Sequence, residues 1–462
     1  MRILLVEPED NVKSIEREIF PSGALILIGT MLQQNGHDVS IIHMFPDKID
    51  TTGLIKKVHE FKPEIVGITM NTFQTKSARK ISQAIKKTNK NIIIVTGGPH
   101  PSALKKDIFK YFPEIDIVVY GEGEFTFLEI AEGKDLRDIK GICYDGKVNA
   151  PRPYAENLDY IPLPNLDLVG NIEKFSFGRK RRSMYIMASR GCPFQCIFCN
   201  KSVWGSRIRL RSPQHVIKEI QWLHDKYGIQ EIAFQDDTFN LNKKWAEEIF
   251  RLIISSGLNK EIVYKIALRA NWNLIDEKFL CLAKEAGVYL VFFGVESGNQ
   301  EMLDRMKKKL TVEEIKRAFV LAHKVGLKTI ASFIIGLPGE TTESIRDSIK
   351  LWKQINPYDW GFTLPIPFPG TELRKILIEK DHLLNTNYHE YFLGNCLVRT
   401  DELSAKELVY YFKKLSTYKN LGQLPRKFTK YYIKNVVKEF MLNPKSLLRR
   451  IKTFLQLFQK GI

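Results

Sequence analysis

The segment Ser189–Asn200 reads SRGCPFQCIFCN and places three thiols, Cys192, Cys196 and Cys199, at Cys-x3-Cys-x2-Cys spacing. Thiolates are soft ligands suited to zinc or to iron–sulfur clusters. Structural zinc is usually closed by four ligands, and cuboidal iron–sulfur clusters normally take four thiolates. Three cysteines on one short loop therefore suggest a four-iron cluster with one iron left open, free to bind a cofactor or substrate. On the residues alone a zinc knuckle completed by His215 or another histidine stays open. The other cysteines, Cys143, Cys281 and Cys396, are scattered through 462 residues. That is no disulfide framework; clustered thiols of this kind point to a metal or redox centre in a reducing compartment.

A cluster loop must be presented by a rigid element, and the flanking pattern supplies one. From Ser183 to about Leu373 short apolar runs alternate with helical stretches. The expected strands are Tyr185–Ser189, Glu231–Gln235, Tyr264–Leu268, Leu290–Val295, Thr329–Ile335 and Trp360–Pro365. Six strands interleaved with helices predict a partial (β/α)6 barrel of the TIM type, with chemistry at the strand carboxyl ends. Upstream, Ile3–Val6, Val39–His43, Ile65–Thr69, Ile92–Thr96 and Ile117–Tyr120 are short apolar runs separated by helices. These predict a doubly wound, Rossmann-like α/β domain, whose ligands bind beyond the carboxyl edge of the sheet. Two of those edges carry glycines, GGPHP (Gly97, Gly98) and YGEGE (Gly121, Glu122, Gly123), which permit tight turns or close backbone approach to a ligand. The domains are expected at 1–145, a proline-rich linker at 146–180, the barrel at 181–395, and a basic helical extension at 396–462.

The cysteine segment, at the end of the first barrel strand, resembles the cluster loop of radical S-adenosylmethionine enzymes. The resemblance runs from about Ser183 to Leu373 and implies a [4Fe–4S] cluster on Cys192, Cys196 and Cys199. It also implies an open iron that chelates S-adenosylmethionine, and a 5′-deoxyadenosyl radical as the reactive species. Residue roles follow by position. Phe198, before the last cysteine, is expected near the adenine. Asp236 and Asp237 of FQDDTFN are candidates for the methionine amino group, and Arg269 of ALRAN offers a fork to its carboxylate. Glu296 of GVESGNQ would accept from the ribose hydroxyls or the amino group, with Ser297 as a second candidate. Ile335 of FIIGLPGET would frame the adenine.

The upstream domain is similar to the cobalamin-binding domain fused to many such enzymes, through PSGALILIGTMLQQNGHDVSII, GGPHPSAL and VVYGEGE. The similarity implies that Gly97, Gly98, Gly121, Glu122 and Gly123 lie at the corrin edge. The Asp-x-His-x-x-Gly loop that gives other cobalamin proteins a lower axial histidine is absent, the loop after strand one reading EPEDNVKSIERE. Cobalt ligation from below by histidine is therefore not expected. His100, in the GGPHP turn, is read as a packing or capping residue. Together the two resemblances imply a cobalamin-dependent C-methyltransferase. The alternatives are a radical cyclase or other carbon-skeleton enzyme of tetrapyrrole or isoprenoid-lipid type and, more remotely, a non-catalytic cobalamin- or zinc-binding regulator. A methylthiotransferase needs a second three-cysteine cluster in its first domain, where this chain has only Cys143.

Composition sets the remaining bounds. The chain is 44% hydrophobic and 26% charged, as in globular proteins. Its apolar runs fall short of the roughly 20 residues that span a bilayer. The opening MRILLVEPED reads as a strand and not as a secretory signal, so a cytoplasmic location is expected. The net charge is +18, and residues 424–462 carry ten basic side chains and one acid. Phe428, Tyr432, Val436 and Phe440 recur there at helical spacing between lysines, a basic amphipathic pattern compatible with peripheral membrane contact. Nucleic acid is not expected. The expected partners are a small-molecule or lipid substrate and an electron donor such as flavodoxin or ferredoxin.

Overall fold

The computed structural model describes residues 1–10, 19–175, 178–180 and 182–427. The chain forms two compact units, Met1–Leu408 and Val409–Ile462. The first holds two β/α sheets.

The amino-terminal sheet is made of β1 (Arg2–Glu7), β2 (Asp38–His43), β3 (Ile65–Thr69), β4 (Ile93–Gly97), β5 (Ile117–Val119), β6 (Ile142–Tyr144) and β7 (Lys147–Val148). Their order is β2-β1-β3-β4-β5-β6-β7. The first five pair in parallel, and β6 and β7 add an antiparallel edge that the apolar-run pattern did not reveal. The parallel strands are buried on both faces. Ile3, Leu5, Val6, Val66, Ile94 and Val118 are each at most 1% exposed, so these strands read as continuous apolar runs. The order reverses between β1 and β3. Such a switch point opens a crevice beyond the strand carboxyl ends.

The second sheet contains β8 (Ser183–Ile186), β11 (Glu231–Phe234), β12 (Val263–Leu268), β13 (Val288–Glu296), β14 (Lys328–Ile334) and β15 (Asp359–Thr363). All pair in parallel in the order β15-β14-β13-β12-β11-β8, leaving β8 and β15 as edges. Between β8 and β11 lies a two-rung antiparallel ribbon, β9 (Ser189–Arg190) with β10 (Arg209–Leu210). The strand expected at Tyr185–Ser189 thus ends early. Ala188 turns its N–H to the Asp236 carboxylate and its carbonyl to the N–H of Arg211, so the chain leaves the sheet and pairs locally.

Helix starts are chemically marked. Ser212 accepts from the N–H of His215 ahead of Pro213–Tyr227, and Thr311 and Glu314 form a capping box ahead of Val312–Val325. Phe234, Phe239, Phe250 and Phe279 pack in series with centroid spacings of 4.6, 5.6 and 5.5 Å. Each buried phenylalanine contributes about 1.5–3 kcal/mol, and this run anchors the loop after β11. The proline-rich 146–180 stretch is more than a tether. Leu158, Ile161, Leu166 and Val169 are buried, the Asn165 N–H donates to Thr30, and Trp222 donates to the Pro164 carbonyl.

Two histidines are sealed in the core. His43 Nε2 accepts from the Ser22 N–H at 3.0 Å, and its ring lies edge-on to Phe175. Burial, then Lys174, lowers its pKa to about 4. His100 Nδ1 lies 3.0 Å from the Thr72 hydroxyl and its ring packs on Tyr388. Burial, then His389 and Arg374, lowers its pKa to about 3. Both are bases held neutral when folded. Their stabilising contribution is complete above the unfolded value near 6.5 and is lost as pH falls from there toward 4, because only the unfolded chain takes the proton. Urea midpoints measured between pH 7.5 and 4 should fall with a loss of roughly 3 kcal/mol per histidine by pH 4. His100→Asn should remove its share of that slope.

The helix Ala405–Lys427 follows the barrel. The amphipathic pattern beginning at Phe428 lies outside the described residues. Among the described residues no helix is long and apolar enough to cross a membrane.

Candidate active site

The cluster loop is residues 191–208, closed at its base by the β9–β10 ribbon. Gly191 sits at φ +88, and a β-carbon there would run into the Arg207 backbone, so glycine is required. The loop is packed from below by the end of helix Gln300–Arg305. The Ile197 N–H donates to the Met306 carbonyl at 3.1 Å, and Cys196 Sγ lies 3.9 Å from the Lys307 carbonyl. Cys192 Sγ lies 3.7 Å from the Thr238 hydroxyl.

All three thiols line one cavity of about 660 Å³. Its opposite wall is the carboxyl edge of the amino-terminal sheet: Glu7 at the end of β1, Thr69 at the end of β3, Gly97 and Gly98 at the end of β4, and Gly121 to Glu124 after β5. Leu158, Ile161, Pro162 and Pro164 of the connecting stretch form a third, apolar side. Tyr185 on β8 reaches across, and its hydroxyl oxygen accepts from the Gly23 N–H at 2.5 Å.

Two cations stand beside the thiols. Arg269 lies over Phe194, its guanidinium carbon 3.4 Å from the ring centroid, with Nε on Asn271 and Nη2 on the Lys309 carbonyl. Asn240 fixes its backbone, accepting from the Arg269 N–H and donating to the Arg269 carbonyl, each at 2.9 Å. Lys308 is paired with Glu296 at 2.8 Å and lies 6.0 Å from the Phe198 ring. The hydrogen bond from Cys199, followed by Lys308 and Arg269, pulls the Cys196 thiol below the ordinary range, and the same contact pushes Cys199 up. A cationic setting that favours thiolate is what iron ligation needs.

The expected residues divide by position. Cys192, Cys196, Cys199, Asp237, Arg269, Gly97, Gly98, Gly121, Glu122 and Gly123 reach the cavity. Glu296 reaches it through Lys308. Asp236 is turned away, buried against the Ser189 hydroxyl and the Ala188 N–H, and burial raises its pKa to about 7. Ser297 faces the helix Thr342–Ile355, 3.3 Å from the Ser348 hydroxyl. Ile335 is fully buried and Phe198 half-buried, both outside the cavity lining. Lys308, Thr238 and Asn240 were not singled out as site residues in the sequence. Lys308 sits in the run Lys307–Lys309, which reads as a solvated charge cluster, and only the packing shows one of the three turned inward.

Gly98 takes φ +107, and a β-carbon there would approach the Met70 carbonyl oxygen to 2.9 Å. Gly98→Ala should therefore cost roughly 1–3 kcal/mol in urea unfolding through backbone strain alone, and should weaken any ligand held at this edge.

Residues 186–351 match the Radical SAM superfamily and residues 9–131 match the B12 binding domain. An uncharacterized methyltransferase of Pyrococcus horikoshii is 36% identical over 424 residues, covering 88% of this chain and 90% of that protein. The chain belongs to the cobalamin-binding radical S-adenosylmethionine family. A second relative, the anaerobic magnesium-protoporphyrin IX monomethyl ester cyclase of Rubrivivax gelatinosus, is 29% identical over 425 residues, covering 88% of this chain and 75% of the cyclase. Among solved structures, the radical S-adenosylmethionine methyltransferase TsrM of Kitasatospora setae, with cobalamin and a [4Fe–4S] cluster bound, shares the fold at TM-score 0.69. It is 21% identical, with 90% and 85% of the two chains covered.

The cofactors of this radical S-adenosylmethionine enzyme are a [4Fe–4S] cluster, S-adenosylmethionine and cobalamin, and the residues fit them. Three thiols share one wall beside two cations. The zinc alternative fails at its fourth ligand, because His215 faces the Arg211 guanidinium at 3.2 Å and Asp159, away from the cavity. The glycine edge opposite offers backbone in place of side chains, as close approach of a large ring needs. No histidine is among the described residues lining the cavity.

Proposed function

We propose that this protein is a cobalamin-dependent methyltransferase acting on an unactivated carbon of a small molecule. One observation carries the reading: the carboxyl edges of the two sheets line a single cavity, so groups held at each edge reach a common substrate. When bound, the cluster with S-adenosylmethionine supplies a 5′-deoxyadenosyl radical, and cobalamin supplies the methyl group. Cys192, Cys196 and Cys199 bind three corners of the cluster. Arg269, stiffened by Phe194 and Asn271, presents its guanidinium to a carboxylate, and Glu296 acts on the cavity through Lys308, which it holds at 2.8 Å. Asp237 opens on the same space. The connector's leucine, isoleucine and prolines exclude water, which protects a radical from side reactions. Electrons from flavodoxin or ferredoxin, a cytoplasmic site of action, and peripheral membrane contact of residues 424–462 belong to this reading.

The cyclase relative supports a second reading, ring formation without methyl transfer, and one experiment separates the two. The protein is reconstituted anaerobically with iron, sulfide and hydroxocobalamin, reduced, and given S-adenosylmethionine bearing a deuterated methyl group. Mass spectrometry then follows 5′-deoxyadenosine and labelled methylcobalamin. Both products are expected. 5′-Deoxyadenosine without labelled methylcobalamin favours the cyclase type, and absence of both rejects the proposal.

A further inference from the structure

The base of the cluster loop is clamped by a carboxylate from the other domain. In the β9–β10 ribbon Arg190 pairs directly with Arg209, so two guanidinium side chains leave neighbouring positions. Both converge on Glu122, in the glycine turn after β5. Arg190 Nη1 lies 2.9 Å from Glu122 Oε1, and Arg209 Nη1 lies 3.0 Å from Oε2. Oε2 also accepts from the Ala155 N–H at 3.1 Å. The second prong of Arg190 goes to Glu124 at 2.6 Å, and Arg209 stacks on Tyr154 at 4.7 Å. The four charged side chains are between 3% and 9% exposed.

Two like charges side by side in a buried ribbon repel, and each costs several kcal/mol to desolvate unless paired. Glu122 is the only described carboxylate bonded to both arginines; Glu124 is bonded to Arg190 alone. Burial alone would raise the Glu122 pKa, but its bonds to Arg209 and Arg190 more than offset this and keep it low. The ribbon closes residues 191–208, and Cys192 follows Arg190 by two positions. Gly121, beside Glu122 in the same turn, takes φ +80, the left-handed conformation that favours glycine.

We infer that Glu122 is a positioning residue for the iron–sulfur loop, contributed in cis by the cobalamin-binding domain, rather than a contact to cobalamin. The inference rests on the reading of Cys192, Cys196 and Cys199 as cluster ligands. It makes cluster geometry depend on how the first domain is seated, so the two cofactor sites share a mechanical link.

The test uses the full chain, reconstituted anaerobically, as the unsubstituted protein, Glu122→Gln and Arg190→Lys. Three quantities are measured: the rate at which a chelator strips iron, the electron paramagnetic resonance signal of the reduced cluster with and without S-adenosylmethionine, and the dissociation constant for hydroxocobalamin by visible titration. Glu122→Gln should speed iron loss about 10–100-fold, the range for an outer-sphere support, and shift the signal, with cobalamin affinity unchanged. Arg190→Lys keeps the charge and loses the fork, so it should fall between; it also carries the test alone if Glu122→Gln does not accumulate folded. Weakened cobalamin binding with unaltered iron loss would make Glu122 a cofactor contact and overturn the inference. Equal loss of both, or of neither, also overturns it. Failure of the unsubstituted protein to take up iron would instead reject the cysteine reading and the inference together.

Discussion

Cys196→Ala abolishes the cluster. Iron falls from about four per chain to adventitious levels after anaerobic reconstitution, the brown absorbance disappears, and 5′-deoxyadenosine formation drops below detection. Cys196 is the most buried of the three thiols, at 8% exposure, and the one drawn toward thiolate by its Cys199 contact, Lys308 and Arg269. The cavity has no spare thiol among the described residues, since Cys143, Cys281 and Cys396 lie outside its lining. Alanine leaves a small void, and the Ile197 N–H still holds the Met306 carbonyl, so the fold survives. Cobalamin affinity should be retained, because the glycine edge across the cavity is untouched. Iron analysis and a visible spectrum with hydroxocobalamin decide it; a variant that still holds four irons would show that Cys196 is not a ligand.

Lys308→Met has the second large effect, on stability and on S-adenosylmethionine binding together. Glu296 ends β13 after a register shift at Gly294 and takes φ +66, a left-handed conformation that costs a non-glycine residue on the order of 1 kcal/mol or more. A β-carbon on Gly294 would run into this ion pair, approaching Lys308 Nζ to 3.0 Å. Both partners are about 10% exposed or less. Removing one leaves an uncompensated buried charge, which costs about 3–5 kcal/mol. Urea unfolding should show that loss, and equilibrium dialysis should show S-adenosylmethionine affinity weakened about 10–100-fold. Adding Glu296→Gln to Lys308→Met should restore most of the stability, since no lone charge remains, but not the affinity. A single variant that loses under about 1 kcal/mol would place the pair in solvent-like surroundings.

How much of this could be read in advance differs from residue to residue. The cysteine spacing is local, because a loop of eight residues must bring its own thiols near one another. The β/α alternation is local too: the parallel strands of the first sheet are buried on both faces, those of the second bury at least one, and the resulting short apolar runs made β1 to β5 and the six barrel strands visible. Strands β6 and β7 are short and belong to an antiparallel hairpin, and β9 and β10 have two residues each. No periodicity develops over such lengths.

The motif assignments show where local signal stops. In FQDDTFN the two aspartates are equivalent as text, yet Asp237 opens on the cavity while Asp236 is buried against Ser189. In GVESGNQ, Glu296 and Ser297 are adjacent, but the left-handed turn at Glu296 sends Ser297 into the neighbouring helix. Lys308 is one of three consecutive lysines, and Glu122 is one of two glutamates in a glycine turn. Their partners lie 12 residues away for Lys308 and 68 and 87 for Glu122, and nothing in a linear pattern joins positions so far apart.

By itself, then, the sequence determined the donor chemistry, the order of the two β/α domains and the edges where ligands bind, because thiol type, short-range spacing and strand burial are properties of neighbouring residues. Only the tertiary structure decided which charges face the cavity, which are spent on one another, and that both sheet edges share one space. Those outcomes depend on contacts between distant segments, whose charges are worth little in water and several kcal/mol once buried.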